Sequence, residues 1–251
     1  MALHEELRKQ GDFLFRYRSH LPLLLLAVGL WIPFHQRRFG ADASETLIAE
    51  ALEACSLWVG LLGLAIRVFA VGYTPSSTSG RNTKQGQVAG TLNTTGAYSL
   101  TRNPLYLGNY LLWAAVAMAT SSLWFVLSFT LAFWLYYERI VFAEEAFLRR
   151  KFGATYLDWA ARTPAFLPRH LHYVHPSTRF SWRKVAKKEK NGLFALFLTL
   201  CVIRLAGDLA EGEVSLPEES LSIAAAVGSG ALYCSLRALK RHTAILDEEG
   251  R

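Results

Sequence analysis

From Leu105 to Tyr137 the chain runs through 33 consecutive residues without one charged side chain. As a single helix this run would be ~50 Å long, against a hydrocarbon core of ~30 Å, so it does not fit one crossing of a bilayer. Its only polar cluster is Thr120-Ser121-Ser122. A tight turn there converts the run into two antiparallel spans. Four more apolar blocks surround it, at Leu21–Ile32, Leu47–Val71, Leu193–Gly207 and Leu221–Leu239, with charges mainly between them. Charged residues make up 19% of the chain, below the usual quarter of a soluble domain. The expected fold is all-α, a polytopic transmembrane helical bundle of about six spans.

The connecting segments set the expected order of elements. Residues 4–18, where Phe13, Phe15 and Tyr17 alternate with Arg16 and Arg18, read as an interfacial anchor. The early charges Glu5, Glu6 and Arg8 and the lack of a small-residue cleavage site argue against a signal peptide. A first span is expected over 20–34, with Pro22 in its first turn and Trp31 and Pro33 at its far end. The second, over 47–72, is ~39 Å long and should tilt or protrude. Residues 74–97, rich in Gly, Ser, Thr and Asn, read as a loop. After the hairpin come a charged helix at 138–152, Gly153, a short helix at 154–161 and a loop from Pro164 to Pro168. A basic, aromatic stretch at 169–190 leads to spans at 192–207 and 220–239, joined by an acidic loop with Pro217. The organisation expected is 1–85 (interfacial helix and two spans), 86–169 (core) and 170–251 (basic linker and two spans).

Basic residues are asymmetric. Twelve Lys and Arg lie in 138–190, three in 74–103 and none in 208–219. By the positive-inside rule both termini and both polar segments face the cytoplasm. This flanking pattern accounts for the net charge of +7, so no nucleic-acid partner is implied. Arg179, Trp182, Arg183, Lys184, Lys187, Lys188 and Lys190 can anchor the topology or recruit anionic lipid headgroups. Cys55, Cys201 and Cys234 all sit in apolar blocks and read as small buried residues, not as a disulfide framework. His170, His172 and His175 lie in a loop without a fixed element or a fourth ligand, so no metal site is expected.

Two polar motifs bracket the hairpin. The first is Gly96-Ala-Tyr98-Ser-Leu-Thr-Arg102-Asn103-Pro104-Leu-Tyr106-Leu-Gly108-Asn109. Asn103 suits an N-cap and Pro104 the first helical position. A helix N-terminus with a forked guanidinium beside it suits an anion such as a carboxylate or phosphate. Taken alone, the motif also reads as a capped helix start with an arginine at headgroup level. The second motif is Glu144-Glu145-Ala-Phe147-Leu148-Arg-Arg-Lys-Phe152-Gly153-Ala-Thr-Tyr156, closing at Thr163-Pro164-Ala-Phe166-Leu167-Pro168. Glu145 can pair with Arg149 one turn on, with the ammonium of a bound cofactor, or with Arg102.

The ordered pair, Arg-Asn-Pro-x-Tyr-x-Gly and then Glu-Glu-x-x-Leu-x-x-x-Phe-Gly-x-x-Tyr with a Phe-Leu-Pro close, resembles the superfamily of isoprenylcysteine carboxyl methyltransferases and phospholipid methyltransferases. The resemblance covers roughly 86–169. It implies S-adenosyl-L-methionine held in a cytosolic pocket and a lipid or lipidated acceptor entering laterally from the bilayer. It also implies that Tyr98, Arg102, Asn103, Pro104, Tyr106 and Gly108 line the pocket, that Glu144 and Glu145 match the family's acidic pair, and that Leu167 and Pro168 close over the adenosine side. Many members carry His before the proline. Asn103 stands there instead and cannot titrate near neutrality.

The chemistry expected is methyl transfer by in-line displacement, with Arg102 positioning the acceptor and Glu145 orienting the cofactor or the arginine. An ionised carboxylate or phosphate oxygen needs no general base. An amine would need one, and the motif offers no histidine, so an oxygen acceptor is favoured. The competing readings are an NADPH-dependent membrane sterol-type reductase, which has a similar closing segment, and a non-enzymatic transporter or scaffold. Transporters usually carry polar residues near mid-membrane, and the hairpin has no charge there.

Overall fold

The computed structural model describes residues 3–17, 24, 26–32, 35, 46–75, 81–83, 86–169, 172–212 and 216–248. The described elements are α1 (Leu3–Tyr17), α2 (Thr46–Tyr73), β1 (Arg81–Thr83), β2 (Gly86–Val88), α3 (Ala97–Leu100), α4 (Pro104–Met118), α5 (Leu123–Phe152), α6 (Ala154–Arg162), α7 (Trp182–Glu211) and α8 (Leu216–His242). The fold is helical apart from the antiparallel pair β1–β2, in which Arg81 faces Val88, inside the segment expected to be all loop. Parts of the expected first span, including Pro22 and Pro33, lie outside the described residues, as does His170.

Among the described residues, four helical stretches are long and apolar enough to cross a membrane: Leu47–Tyr73, Leu123–Phe152, Trp182–Ala210 and Ser220–His242. Trp58, Leu62, Leu131 and Leu135 point outward from them, an arrangement favourable in lipid and unfavourable in water. The chain is an integral membrane protein. Of the six spans expected, α4 is only 15 residues long. That is ~22 Å, less than the hydrocarbon core on its own. The part of 20–34 that is described is helical over 26–32, and Leu30 packs against Val116, Ala119 and Ile203.

The long uncharged run does fold back at Thr120–Ser122. Helix α4 stops at Met118, Ser121 takes a positive φ of 58°, and the Ser122 hydroxyl caps α5 by accepting from Phe125 N at 3.4 Å. The expected break between the hairpin and a charged helix at 138–152 is absent, because no Gly or Pro lies between Leu123 and Phe152. One 30-residue helix therefore spans the apolar and charged parts. At ~45 Å it outruns the bilayer and carries Glu144 and Glu145 beyond it. Gly153, with φ 53° and ψ −127°, ends it in a conformation open only to glycine. The basic stretch before the fifth expected span likewise belongs to a helix. Ser181 caps α7, accepting from Lys184 N at 3.1 Å, so Trp182–Lys190 are its first turns.

Helix α2 packs most extensively on α4, α7 on α8, and α1 on α5. An aromatic ladder fills the α4–α5 seam. Tyr106 meets Tyr137 at 4.9 Å, Tyr110 stacks on Phe129 at 6.1 Å, and Phe133 stacks on Tyr137 at 4.0 Å between ring centroids. Cys201 is buried as expected, but Cys55 and Cys234 are exposed. An apolar membrane helix is as favourable facing lipid as facing protein, so hydrophobicity alone does not place a residue inside. The ends that matter here converge at one end of the bundle. Ser181 N donates to Gly72 O at 2.9 Å, Thr178 Oγ1 to Tyr73 O at 2.7 Å, and Gly96 N to Val174 O at 2.9 Å.

The α2–α4 crossing depends on two glycines. A Cβ on Gly63 would lie 2.8 Å from Gly108 O, and one on Gly108 would lie 2.8 Å from Gly63 O. Small residues at a membrane helix crossing let backbones approach this closely. We predict that Gly63→Val destabilises the protein by about 3 kcal/mol through overpacking against backbone, while Gly228→Ala, where nothing lies within 4 Å, does not. Thermal unfolding in detergent micelles, comparing the two variants with wild type, checks this.

Candidate active site

The first motif enters α4 as a bent strap, and backbone carbonyls of the closing segment hold it in place. Arg102 N donates to Pro164 O at 2.9 Å, Thr101 Oγ1 to Ala165 O at 3.0 Å, and Asn103 Nδ2 to Ala165 O at 3.0 Å. Asn103 occupies the N-cap position, yet its side chain makes no capping bond. Its amide is committed to the Thr163–Pro168 segment instead, and its carbonyl accepts from Tyr106 N and Leu107 N at 3.1 and 3.0 Å. Pro104 is fully buried at the first helical position.

The projecting end of α5 brings the acidic pair to this strap. Arg102 Nη2 lies 3.2 Å from Glu145 Oε1, and Arg102 Nη1 donates to Ala160 O at 3.4 Å. Of the partners open to Glu145 from sequence, the tertiary contact with Arg102 is the one formed; Arg149 is exposed. Successive helical residues point ~100° apart, so Glu144 faces elsewhere, and its carboxylate acts on the Tyr98 phenol. The Tyr98 carbonyl accepts from Trp159 Nε1 at 3.3 Å, which ties α3 to α6.

Tyr156, a residue the motif reading leaves without a role, completes the group. It is 1% exposed. Three buried polar atoms converge here with no hydrogen-bond partner among the described residues: Arg102 Nε, Glu145 Oε1 and the Tyr156 hydroxyl. The Arg102–Glu145 contact is close enough for an ion pair but is not aligned as a hydrogen bond. Leaving a buried polar group unsatisfied costs about 1–3 kcal/mol, so three together form an open set of donors and acceptors. The motif includes Tyr156, but its spacing gives the residue no role. Only the turn at Gly153, which folds α6 back on α5, delivers it.

Other residues expected at the site are placed differently. Tyr106 belongs to the aromatic ladder, and Gly108 lies against Gly63 and Arg67 in the α2–α4 crossing. Leu167 is 66% exposed and Pro168 is exposed as well. Both stand at the outer rim, because the closing segment turns backbone carbonyls, not these side chains, toward Arg102 and Asn103. Its Phe166 packs on Trp134, with ring centroids 4.7 Å apart.

An ion pair and buried polar atoms thus lie together at one end of a membrane-embedded helical bundle, where the apolar hairpin meets the charged part of α5. The family model for phospholipid methyltransferases matches residues 55–155. This segment is therefore a phospholipid methyltransferase domain, within the integral membrane superfamily that also holds the isoprenylcysteine carboxyl methyltransferases. The match starts inside α2, so the domain takes in a helix that the motifs alone leave out. Among curated proteins, the chain is 34% identical over 125 residues to the nickel-cobalt-cadmium resistance protein NccN of Alcaligenes xylosoxydans xylosoxydans, covering 50% of this chain and 54% of that one. It is 35% identical over 122 residues to the cobalt-zinc-cadmium resistance protein CzcN of Cupriavidus metallidurans, covering 49% and 53%. The chain thus spans about half the length of the curated relatives it matches. No solved structure matches it.

Two phenols report the electrostatics. Burial, reinforced by Glu144 and partly offset by Arg67, pushes the Tyr98 pKa above its ordinary value of 10.0. Burial, reinforced by Glu145 and partly offset by Arg102, does the same for Tyr156. Both are therefore neutral hydroxyls at physiological pH. A raised folded-state value means their contribution to stability is complete below pH ~10 and is lost as pH rises beyond it. An alkaline titration of tyrosinate absorbance should show a late-ionising fraction among the ten tyrosines. Tyr98→Phe and Tyr156→Phe should each shrink that fraction.

Proposed function

We propose that this protein is an S-adenosyl-L-methionine-dependent methyltransferase acting on an anionic oxygen, carboxylate or phosphate, of a membrane lipid or lipidated molecule. The carrying observation is the unsatisfied trio at Arg102, Glu145 and Tyr156. Its donors and acceptor complement an α-amino acid zwitterion. Arg102 Nε–H and the Tyr156 O–H suit a carboxylate, and Glu145 Oε1 suits an ammonium. The methionine end of the cofactor carries both groups on one carbon.

When bound, the cofactor supplies an electrophilic methyl on a sulfonium. The C–O bond to the acceptor forms as the C–S bond breaks, and the electron pair of that bond stays on sulfur. The chain has to hold both partners in line and keep water away. Glu145 and Arg102 would fix the amino-acid end, and the guanidinium charge would also favour an anionic acceptor. Tyr98 and Tyr156, both protonated, serve as hydrogen-bond donors and not as bases. An oxygen nucleophile that is already ionised needs no base, which fits Asn103 where many relatives of the superfamily carry His.

The apolar hairpin leads from lipid to the pocket, so the acceptor enters laterally. The basic first turns of α7 suit the recruitment of anionic headgroups, and the positive-inside rule applied to the Lys and Arg of 138–190 supports a cytoplasmic face for the site. The two curated relatives are named for resistance to nickel, cobalt, cadmium and zinc. Methylating an anionic oxygen removes a negative charge and a metal-binding ligand from its carrier. We connect the two by reading the acceptor as an anionic envelope component whose affinity for divalent metals falls on methylation. Among the described residues no group of three His, Cys, Asp or Glu is placed to hold a metal ion.

Purified protein in lipid nanodiscs should bind S-adenosylhomocysteine saturably and NADPH not at all, and should transfer labelled methyl to an extractable lipid. NADPH binding without S-adenosylhomocysteine binding would refute the assignment. Arg102→Ala should lose at least about 100-fold in turnover while remaining folded, on the scale of removing a charged, partly buried contact. Tyr156→Phe should weaken cofactor binding while leaving the ligand-free protein folded, because it removes only the hydroxyl beside Glu145 and keeps the buried ring. Calorimetry and thermal unfolding on the same sample check both halves.

A further inference from the structure

A second charged surface lies outside both motifs, along the seam between α7 and α8. These helices are antiparallel neighbours, and Phe194 stacks on Tyr233 with ring centroids 5.3 Å apart. A Cβ on Gly230 would lie 3.1 Å from the Phe194 ring, so the helices are close there. One helical turn beyond this contact, toward the start of α7, stand Lys190 and Arg237. A further turn brings Lys187 and, from α8, Lys240 and Arg241. Residues three and four apart share a helix face, so these cations line one seam. Lys190 is 7% exposed, and its Nζ donates to Lys187 O at 2.6 Å. Among the described residues no carboxylate lies within ion-pair distance of it. Its neighbour Glu189 is committed to Arg67 of α2, which donates Nε to Oε2 at 2.7 Å and Nη2 to Oε1 at 2.9 Å. Arg67 Nη1 donates to Asn109 Oδ1 on α4. A buried ammonium on a membrane helix is expensive, and by default it marks function.

The anions that reach this surface come from the chain's own tail. After α8 stops at His242, the chain bends through a turn in which Asp247 N donates to Ala244 O at 2.9 Å. Leu246 is buried, Asp247 accepts from Lys187 Nζ, and Glu248 accepts from the Ser181 hydroxyl at the start of α7. One carboxylate thus sits on an ammonium and the other at a helix N-terminus, both places that suit a phosphate. The hold is weak, because the Lys187 and Asp247 side chains are 29% and 64% exposed and exposed ion pairs contribute little. Lys240 and Arg241 are exposed and form no ion pair among the described residues. Trp182, 73% exposed in the first turn of α7, suits headgroup level. We propose that the seam around Lys187, Lys190, Lys240 and Arg241 binds the phosphate of an anionic phospholipid headgroup, with Asp247 and Glu248 as built-in competitors. A lipid that takes Lys187 from Asp247 releases the tail. This gives the headgroup recruitment proposed above a defined place and a switch. It is independent of the donor pocket, whose failure would leave it standing.

Native mass spectrometry of the full chain, titrated in detergent with phosphatidylglycerol or phosphatidylcholine, tests this. Wild type should prefer phosphatidylglycerol. Lys240→Gln with Arg241→Gln, both exposed, should weaken that binding about 20-fold, at roughly fivefold per basic residue near an anionic surface. Asp247→Asn with Glu248→Gln should tighten it about threefold, the scale of an exposed ion pair released. Arg150→Gln with Lys151→Gln removes the same charge from the end of α5 and should leave it unchanged. A wild type without preference, or an unchanged affinity in the α8 variant, overturns the site. Equal weakening by the α5 variant overturns it too, since total charge would then suffice. An unchanged affinity in the tail variant overturns the competition. Displacement of the lipid by inorganic phosphate alone would make the seam a site for soluble anions and overturn the lipid assignment.

Discussion

The contact between Arg102 and Glu145 joins the two polar segments that bracket the apolar hairpin. Arg102 sits just before α4, and Glu145 sits on the part of α5 that has left the bilayer. The helices are antiparallel neighbours, so a residue near the start of one and a residue near the end of the other reach the same level. That geometry follows from the turn at Thr120–Ser122, which fixes the hairpin register. It also requires α5 to continue without interruption beyond the apolar core. A break at residue 138 would leave the direction of the acidic pair unconstrained.

Around that contact the polar groups are used unevenly. The strap from Thr101 to Asn103 is tied to the closing segment by backbone and amide bonds at 2.9–3.0 Å. Those bonds account for the donors that would otherwise compete for a ligand. Among the described residues, the buried side-chain polar atoms without an aligned hydrogen bond are Arg102 Nε, Glu145 Oε1 and the Tyr156 hydroxyl. Natural proteins retain unsatisfied groups where function outweighs stability. Here they share one place, between a rigid helix and a short one that folds back at a glycine. The deeper Arg67–Glu189–Asn109 network has the opposite character, since the guanidinium is fully engaged.

The close crossing of α2 and α4 connects these two levels. Gly63 and Gly108 let the helix backbones meet, and in the same place they leave room for the stem of Arg67. Gly108 is therefore conspicuous in the motif because of packing.

Much of this was legible in the chain. Uncharged length against bilayer thickness dictates a hairpin, and the lone polar cluster dictates where it turns. Glycine with no alternative at Gly153 dictates a helix end. The spacing of the two motifs brings Arg102 and Glu145 to the same side, whichever partner Glu145 takes. Other features could not be read, because the physical quantities behind them are not local. Burial of a cysteine in a membrane helix depends on which face meets protein, since lipid and protein are equally apolar. Whether Asn103 caps its helix or grips the Ala165 carbonyl depends on where a segment sixty residues away comes to rest. The partnership of Arg67 with Glu189 joins α2 to α7, two helices that nothing in their composition pairs. The sequence by itself determined a membrane hairpin and the polar motifs at its mouth, because both follow from length, hydropathy and backbone freedom. Only the tertiary structure decided which charges neutralise one another and which polar atoms stay unmatched, because those depend on distances of a few ångströms between helices.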